Sequence, residues 1–344
     1  MKVNTSNSTK NTIIITVLFI LLICMFLFSF TLGRYQVSIT EIFNYLRYLI
    51  TGEKNGLSAN VIAVISQIRF PRIATAVLLG SALSVSGASY QGVFKNPMVS
   101  PDILGASAGA GFGAAIGILL SLSSVMIQFV SFIFGILAVF LSYIISRVVG
   151  RKDNTTLVLI LSGMVVSSLL SSLISVAKYV ADPYSKLPEI TLWLMGSLSA
   201  VNTTDLKIIF LPIVICTAIL MLLRWRLNVL SFGDEEAQAL GVNTKRLRLI
   251  VIICSTMLTA SVVSVGGMIG WVGLVIPHLG RMLVGPNYKH LMPATFLLGG
   301  IYLLLVDNIS RNLLQVEIPI GILTAIIGAP FFVYLLLKGK KGWI

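Results

Sequence analysis

The chain has 344 residues, of which 56% are hydrophobic and only 11% charged, and its mean hydropathy is +0.97. Values this far from the soluble range exclude a water-soluble enzyme or nucleic-acid binder and define an integral membrane protein. The net charge of +13 is therefore first a matter of topology, because basic residues collect in cytoplasmic loops.

A helix needs about 20 apolar residues to cross about 30 Å of hydrocarbon. In chain order such runs lie near 13–32, 73–94, 101–120, 125–146, 157–177, 206–223, 249–265, 268–284, 291–306 and 320–337. They predict an all-α protein of about ten transmembrane helices, forming one transmembrane domain over 1–344. Glycine and proline interrupt the 101–120 and 268–284 runs. The first run follows Lys2 and Lys10 and lacks a small-residue cleavage pattern, so it reads as a retained helix and not a removed signal peptide. With the N-terminus inside, most of the 25 basic residues fall in inner loops and both termini are cytoplasmic.

Between the first two spans, Ile42, Leu46 and Ile50 suit a short amphipathic helix on the membrane surface. At 69–72, RFPR puts two cations on the outer side, either snorkelling at the interface or forming a basic patch with Arg311 that docks an acidic partner. Two ladders of small residues follow at four-residue spacing: Gly80, Ser84, Ala88 and Gly92, then Gly105, Gly109, Gly113 and Gly117. Each makes a smooth helical stripe that predicts close packing within the bundle. Gly105-Ala-Ser-Ala-Gly109 fits the G-x-S-x-G elbow of serine hydrolases, but its flanks are helical and apolar, without the strand that the motif requires. The spacing from Gly87 to Pro97 returns between Gly267 and Pro277, five spans later, which hints at an inverted repeat. Cys24, Cys216 and Cys254 sit singly in apolar runs and read as buried small hydrophobes, with neither disulfide nor metal implied.

The segment 224–248 carries GDEEAQALGV at 233–242, three adjacent carboxylates in a chain with 12 acids in all. Asp234 suits the cap of a short helix, Glu235 and Glu236 its dipole, and Gly241 its stop. Successive helical residues diverge by about 100°, which disfavours convergence on a metal or a reacting bond. The alternatives are a solvated turn or a compact helix presenting Ala237, Ala239 and Leu240 to another protein. Near the C-terminus, Asp307 and Arg311 are four apart and suit a helical ion pair. Glu317 precedes the last span as a helix-start carboxylate. The same acids could instead serve a cation relay in an ion-coupled secondary transporter.

Several stretches together resemble one family. RFPR at 69–72, SGASYQGVFKNPMVSPDILGASAGA at 86–110, GDEEAQALGV at 233–242, GMIGWVGLVIPHLGR at 267–281, DNISR at 307–311 and EIPIGILTAIIGAPFF at 317–332 are similar to the FecCD-type permeases of ABC importers for iron-siderophores, haem and vitamin B12. They follow the family's order from about residue 65 onward. Met98 departs from the family's usual leucine.

The resemblance implies a ten-helix type II importer permease in a bacterial cytoplasmic membrane, paired with a second permease subunit, either a copy or a paralogue. It also implies two cytoplasmic ATPases and an extracytoplasmic siderophore-binding protein. Arg69, Arg72 and Arg311 match the arginines that dock the binding protein. Gly233, Asp234, Glu235, Glu236, Ala237, Ala239, Leu240 and Gly241 match the coupling helix, within a coupling segment of about 228–246 that seats on the ATPase. The chain has no G-x-x-x-x-G-K-[ST] and is not itself expected to be an enzyme; it should bind no cofactor, ATP and magnesium belonging to the ATPase. The expected cargo is a ferric siderophore, with haem or cobalamin as alternatives, on a path lined by parts of 73–94, 125–146 and 157–177.

Overall fold

The computed structural model describes residues 5–52, 56–150 and 155–339, all helices, turns and loops without a strand. Among the described residues seven helical stretches are long and apolar enough to cross a membrane, and three shorter apolar helices accompany them. Together they match the ten runs.

Helix α1 (Thr5–Ser29) leads to α2 (Ile39–Thr51), which Ser38 starts by accepting from the Glu41 N–H while Glu41 answers back, a reciprocal cap. Of the expected surface stripe only Ile42 is buried; Leu46 and Ile50 remain exposed, as a membrane-surface helix requires. The next span is one continuous helix, α3 (Ala59–Ala63), a π-helical turn (Val64–Arg69) and α4 (Phe70–Val93).

The two interrupted runs are short helices. Pro101 opens a 3-10 turn (Pro101–Leu104), Gly105 turns at φ +89°, and α5 covers only Ala106–Leu119. Fourteen residues reach about 21 Å at about 1.5 Å per residue, short of the hydrocarbon thickness. Long helices α6 (Ser124–Val149) and α7 (Thr155–Val180) follow, then α8 (Lys186–Met195) and α9 (Thr203–Leu222). After α10 (Arg224–Phe232) and α11 (Asp234–Ala239) come α12 (Thr244–Gly266), the second short helix α13 (Val272–Val284), α14 (Tyr288–Asn312) and α15 (Ile320–Gly339).

The long–short–long order of α4, α5 and α6 recurs in α12, α13 and α14. The Gly–Pro spacing does not mark this repeat: Gly87 lies inside α4, whereas Gly267 ends α12 at φ +69° and Pro277 lies inside α13.

Helix α4 is the centre of the bundle. Every residue from Leu79 to Val93 is buried. A Cβ at Gly80 would lie 2.1 Å from the Gly299 carbonyl of α14, and one at Gly87 1.8 Å from the Gly273 carbonyl of α13. The second ladder does the same between α5 and α6, with Gly109 against the Phe134 carbonyl at 2.4 Å. Both ladders thus serve close backbone approach, which lets van der Waals packing hold helices where lipid supplies no hydrophobic drive. Between Leu79 and Val93 a helix so enclosed offers no surface to a path, so within the expected 73–94 segment only the start of α4, where Ala74, Val77 and Leu78 are partly exposed, could contribute to the lining.

Cysteine burial holds only in part. Cys216 and Cys254 are buried, whereas Cys24 is exposed on α1, and all three are free thiols.

Candidate functional site: two polar ends of the bundle

Antiparallel α4 and α14 bring sequence-distant charges together at one end of the bundle. Arg72 donates from Nε to Asp307 at 2.9 Å and from its two terminal nitrogens to both Glu317 oxygens at 3.0 and 2.9 Å. Asp307 is fully buried and also faces Arg311, at 3.3 Å. Arg311 donates to Asn308 and to the Ser29 carbonyl at 3.4 Å, which ties in the end of α1. Arg69 donates to the Phe30 and Tyr35 carbonyls. Gly33, at φ +137°, leaves room beside that guanidinium, where a Cβ would come within 3.0 Å.

Asp307 and Arg311 pair as their spacing predicts, and Glu317 joins them through Arg72. The outward reading of the arginines needs correction: Arg69, Arg72 and Arg311 are 4%, 7% and 7% exposed and turned into the chain. Snorkelling fails for the same reason. Burial alone would raise the Glu317 carboxyl, but the hydrogen bonds and charge of Arg72 outweigh it and hold it below its ordinary value of 4.5. Clamped in this way, Glu317 is a poor member of a cation relay.

Arg34 was not singled out in the sequence. It is exposed beside this cluster and donates to the Gln315 carbonyl. Among the described residues of this cluster four arginines, Arg34, Arg69, Arg72 and Arg311, stand with two carboxylates, Asp307 and Glu317, so the cluster carries a positive excess and a field that reaches beyond contact distance.

The opposite end carries α10 and α11. The Asn11 side chain donates to the Val284 carbonyl at 3.0 Å, so the start of α1 lies here too. Asn228 of α10 accepts from the Tyr288 N–H at 2.8 Å and donates to Asn287 at 2.9 Å, fastening the segment to the start of α14.

Gly233, not Asp234, is the cap residue of α11; its φ of +145° suits glycine, and a Cβ there would strike the Glu236 carboxylate at 1.8 Å. Asp234 is the first helical residue and accepts from Lys95 at 2.9 Å and from Arg248 at 2.9 and 2.8 Å. These bonds lock α11 to the ends of α4 and α12. Gly241 ends the turn at φ +79°, as its position predicts.

The three carboxylates diverge, and no group of three or more potential metal ligands occurs among the described residues. Ala237 is wholly buried, so it anchors the helix instead of presenting it. Glu235, Glu236, Ala239 and Leu240 face outward, and Phe232 at the end of α10 is 74% exposed. The result is a stiff projection with an acidic and apolar outer face.

Between the two ends the family stretches pack on one another. The Gln91 side chain donates to the Val99 carbonyl at 3.2 Å and accepts from Arg281, and Pro101 fills the space beside Gly273. Ser107 donates to Asp102 in the turn before α5. It sits on a helix with no strand before it, so the hydrolase elbow is absent.

Comparison with known proteins accords with this architecture. The chain is 42% identical to the molybdate import system permease protein MolB of Haemophilus influenzae, over 94% of this chain and 95% of that protein. It is 40% identical to a probable iron chelatin transport system permease protein of Helicobacter pylori, over 80% and 83% of the two chains. A solved inward-facing metal-chelate type ABC transporter, itself described as putative, superimposes with a TM-score of 0.85 at 42% identity, covering 94% of this chain and 99% of that one. The model of the FecCD transport family matches residues 20–338, and this chain belongs to that family as an ABC importer permease.

Proposed function

We propose that this chain carries ferric chelates of the siderophore type into the cytoplasm, as half of a permease pair driven by separate ATPases. The observation that carries the reading is on α7. Ser168, Ser171, Ser172 and Ser175 are all exposed along one side of this span, continued by Met164 at 58% and Tyr179 at 90% exposure. Ser172 and Ser175 donate to the Ser168 and Ser171 carbonyls at 3.0 and 3.1 Å, so what the stripe offers a bulky, partly polar cargo is a row of hydroxyl oxygens able to accept. By contrast α6 exposes Phe129, Ile133, Leu137 and Phe140, a lipid-like face, so of the three expected lining segments α7 fits best.

The similarity to a molybdate permease favours a second cargo, molybdate. Proteoliposomes containing this permease with its ATPase and binding protein should accumulate radiolabelled ferric chelate only with ATP. ATP-dependent uptake of molybdate alone would transfer the assignment, and uptake driven by an ion gradient without the ATPase would remove the importer reading.

The α11 projection is proposed to seat on the ATPase, with the cytoplasm at that end. Glu236→Arg should weaken co-purification of the ATPase and cut ATP-driven uptake roughly tenfold or more, by reversing a charge in a contact without altering the Asp234 anchor. Unchanged association and uptake would count against coupling there.

At the other end, Arg69, Arg72 and Arg311 are proposed to attract an acidic binding protein through their summed field, with the exposed Arg34 as the residue that touches it. Arg34→Glu should slow docking in low salt and lose its effect as salt rises, because the Debye length shrinks to about 3 Å at 1 M. Association rates that are equal at all salt concentrations would overturn this role.

A further inference from the structure

A cavity of about 340 Å³ opens between the ends of α4, α6, α11 and α12, on the side of the bundle that holds α10 and α11. Arg147, Lys245 and Arg248 line it against one acid, Asp234. That acid is already engaged by Arg248 and by Lys95. Arg147 lies across the Tyr143 ring at 5.3 Å and donates from Nε to the Tyr143 hydroxyl at 3.0 Å, so one edge of its guanidinium is oriented by a neutral partner. Among the described residues neither Arg147 nor Lys245 has a carboxylate within ion-pair reach. The floor is apolar, with Phe94 and Ile252 buried beneath the cations.

Depth and surroundings favour one occupant. Arg147 stands in the last turn of a 26-residue span and Lys245 in the first turn of a 23-residue span, where headgroups meet hydrocarbon. Ile144 and Val148 leave an apolar surface beside the cavity, 42% and 80% exposed. A soluble phosphate would use the cations and leave this neighbouring apolar surface unused. A phospholipid uses both, its phosphate between Arg147 and Lys245 and its chains along α6.

We infer that this cavity is a binding site for the headgroup of an anionic phospholipid, held by Arg147 and Lys245 between α6 and α12. The occupant would brace the α11 anchor, because Asp234 and Arg248 form the opposite wall.

Native mass spectrometry of the purified full-length chain, loaded with phosphatidylglycerol or phosphatidylcholine, provides the test. The parent should retain phosphatidylglycerol selectively, and Arg147→Gln with Lys245→Gln should reduce that retention about tenfold or more while leaving phosphatidylcholine unchanged. The charge-keeping pair Arg147→Lys with Lys245→Arg should retain it, which separates loss of charge from loss of fold. Equal retention of the two lipids by the parent, unchanged retention in the glutamine variant, or loss in the charge-keeping variant would overturn the site. Displacement of phosphatidylglycerol by millimolar inorganic phosphate would overturn the lipid assignment.

Discussion

Asp307→Asn should destabilise the folded chain by about 3–5 kcal/mol, because it removes one partner from a buried ionic cluster and leaves the other charges uncompensated. Asp307 is fully buried between Arg72 and Arg311. Asparagine preserves volume and some hydrogen bonding but strips the charge that both guanidiniums face. Thermal unfolding in detergent, followed beside the parent, should show an early transition and a reduced folded yield. Glu189→Gln is the control: its contact with Lys186 is 3.7 Å long and exposed, and pairs of that kind contribute little. An Asp307→Asn variant that unfolds with the parent would refute the structural role.

The same cluster carries a pH signature through Glu317. Its carboxyl is held below its ordinary value in the folded chain. The contribution is therefore complete above about pH 4.5 and is lost as pH falls through the lower folded value. Glu317→Gln should flatten this acid limb and leave the neutral-pH melting curve less perturbed than Asp307→Asn does.

Gly87→Ala is the second large effect. The added methyl would meet the Gly273 carbonyl at 1.8 Å, and backbone atoms cannot rotate aside as a flexible side chain could. Separating α4 from α13 would cost about 1–3 kcal/mol or more by overpacking. It would also pull Gln91 from the Gly273 carbonyl, its partner at 3.4 Å. Gly270→Ala is the matched control, since a Cβ there has nothing within 4 Å. ATP-driven uptake and thermal stability should both fall in the first variant and hold in the second. Equal behaviour of the two would show that the α4–α13 contact has slack.

By itself the sequence determined the class of the protein and the places where the chain crosses the membrane. Lipid imposes a long apolar run on every span, and that demand can be read locally. Spacing also foretold the two small-residue ladders, the Asp307–Arg311 pair and the stop at Gly241, because each depends on neighbours within a few helical turns. The family stretches were legible as words in order, though not as one packed unit.

What the tertiary structure alone decided lies across long separations. Arg72 meets Glu317, Lys95 meets Asp234 and Gln91 meets Arg281 at 245, 139 and 190 residues apart. No local period encodes such partners, so cations expected at the surface proved buried and Ala237 proved to be an anchor. The interior position of α4 was hidden for a related reason. Hydropathy measures the preference to leave water, which a lipid-facing helix and a fully enclosed one satisfy equally, and only packing against α13 and α14 separates them.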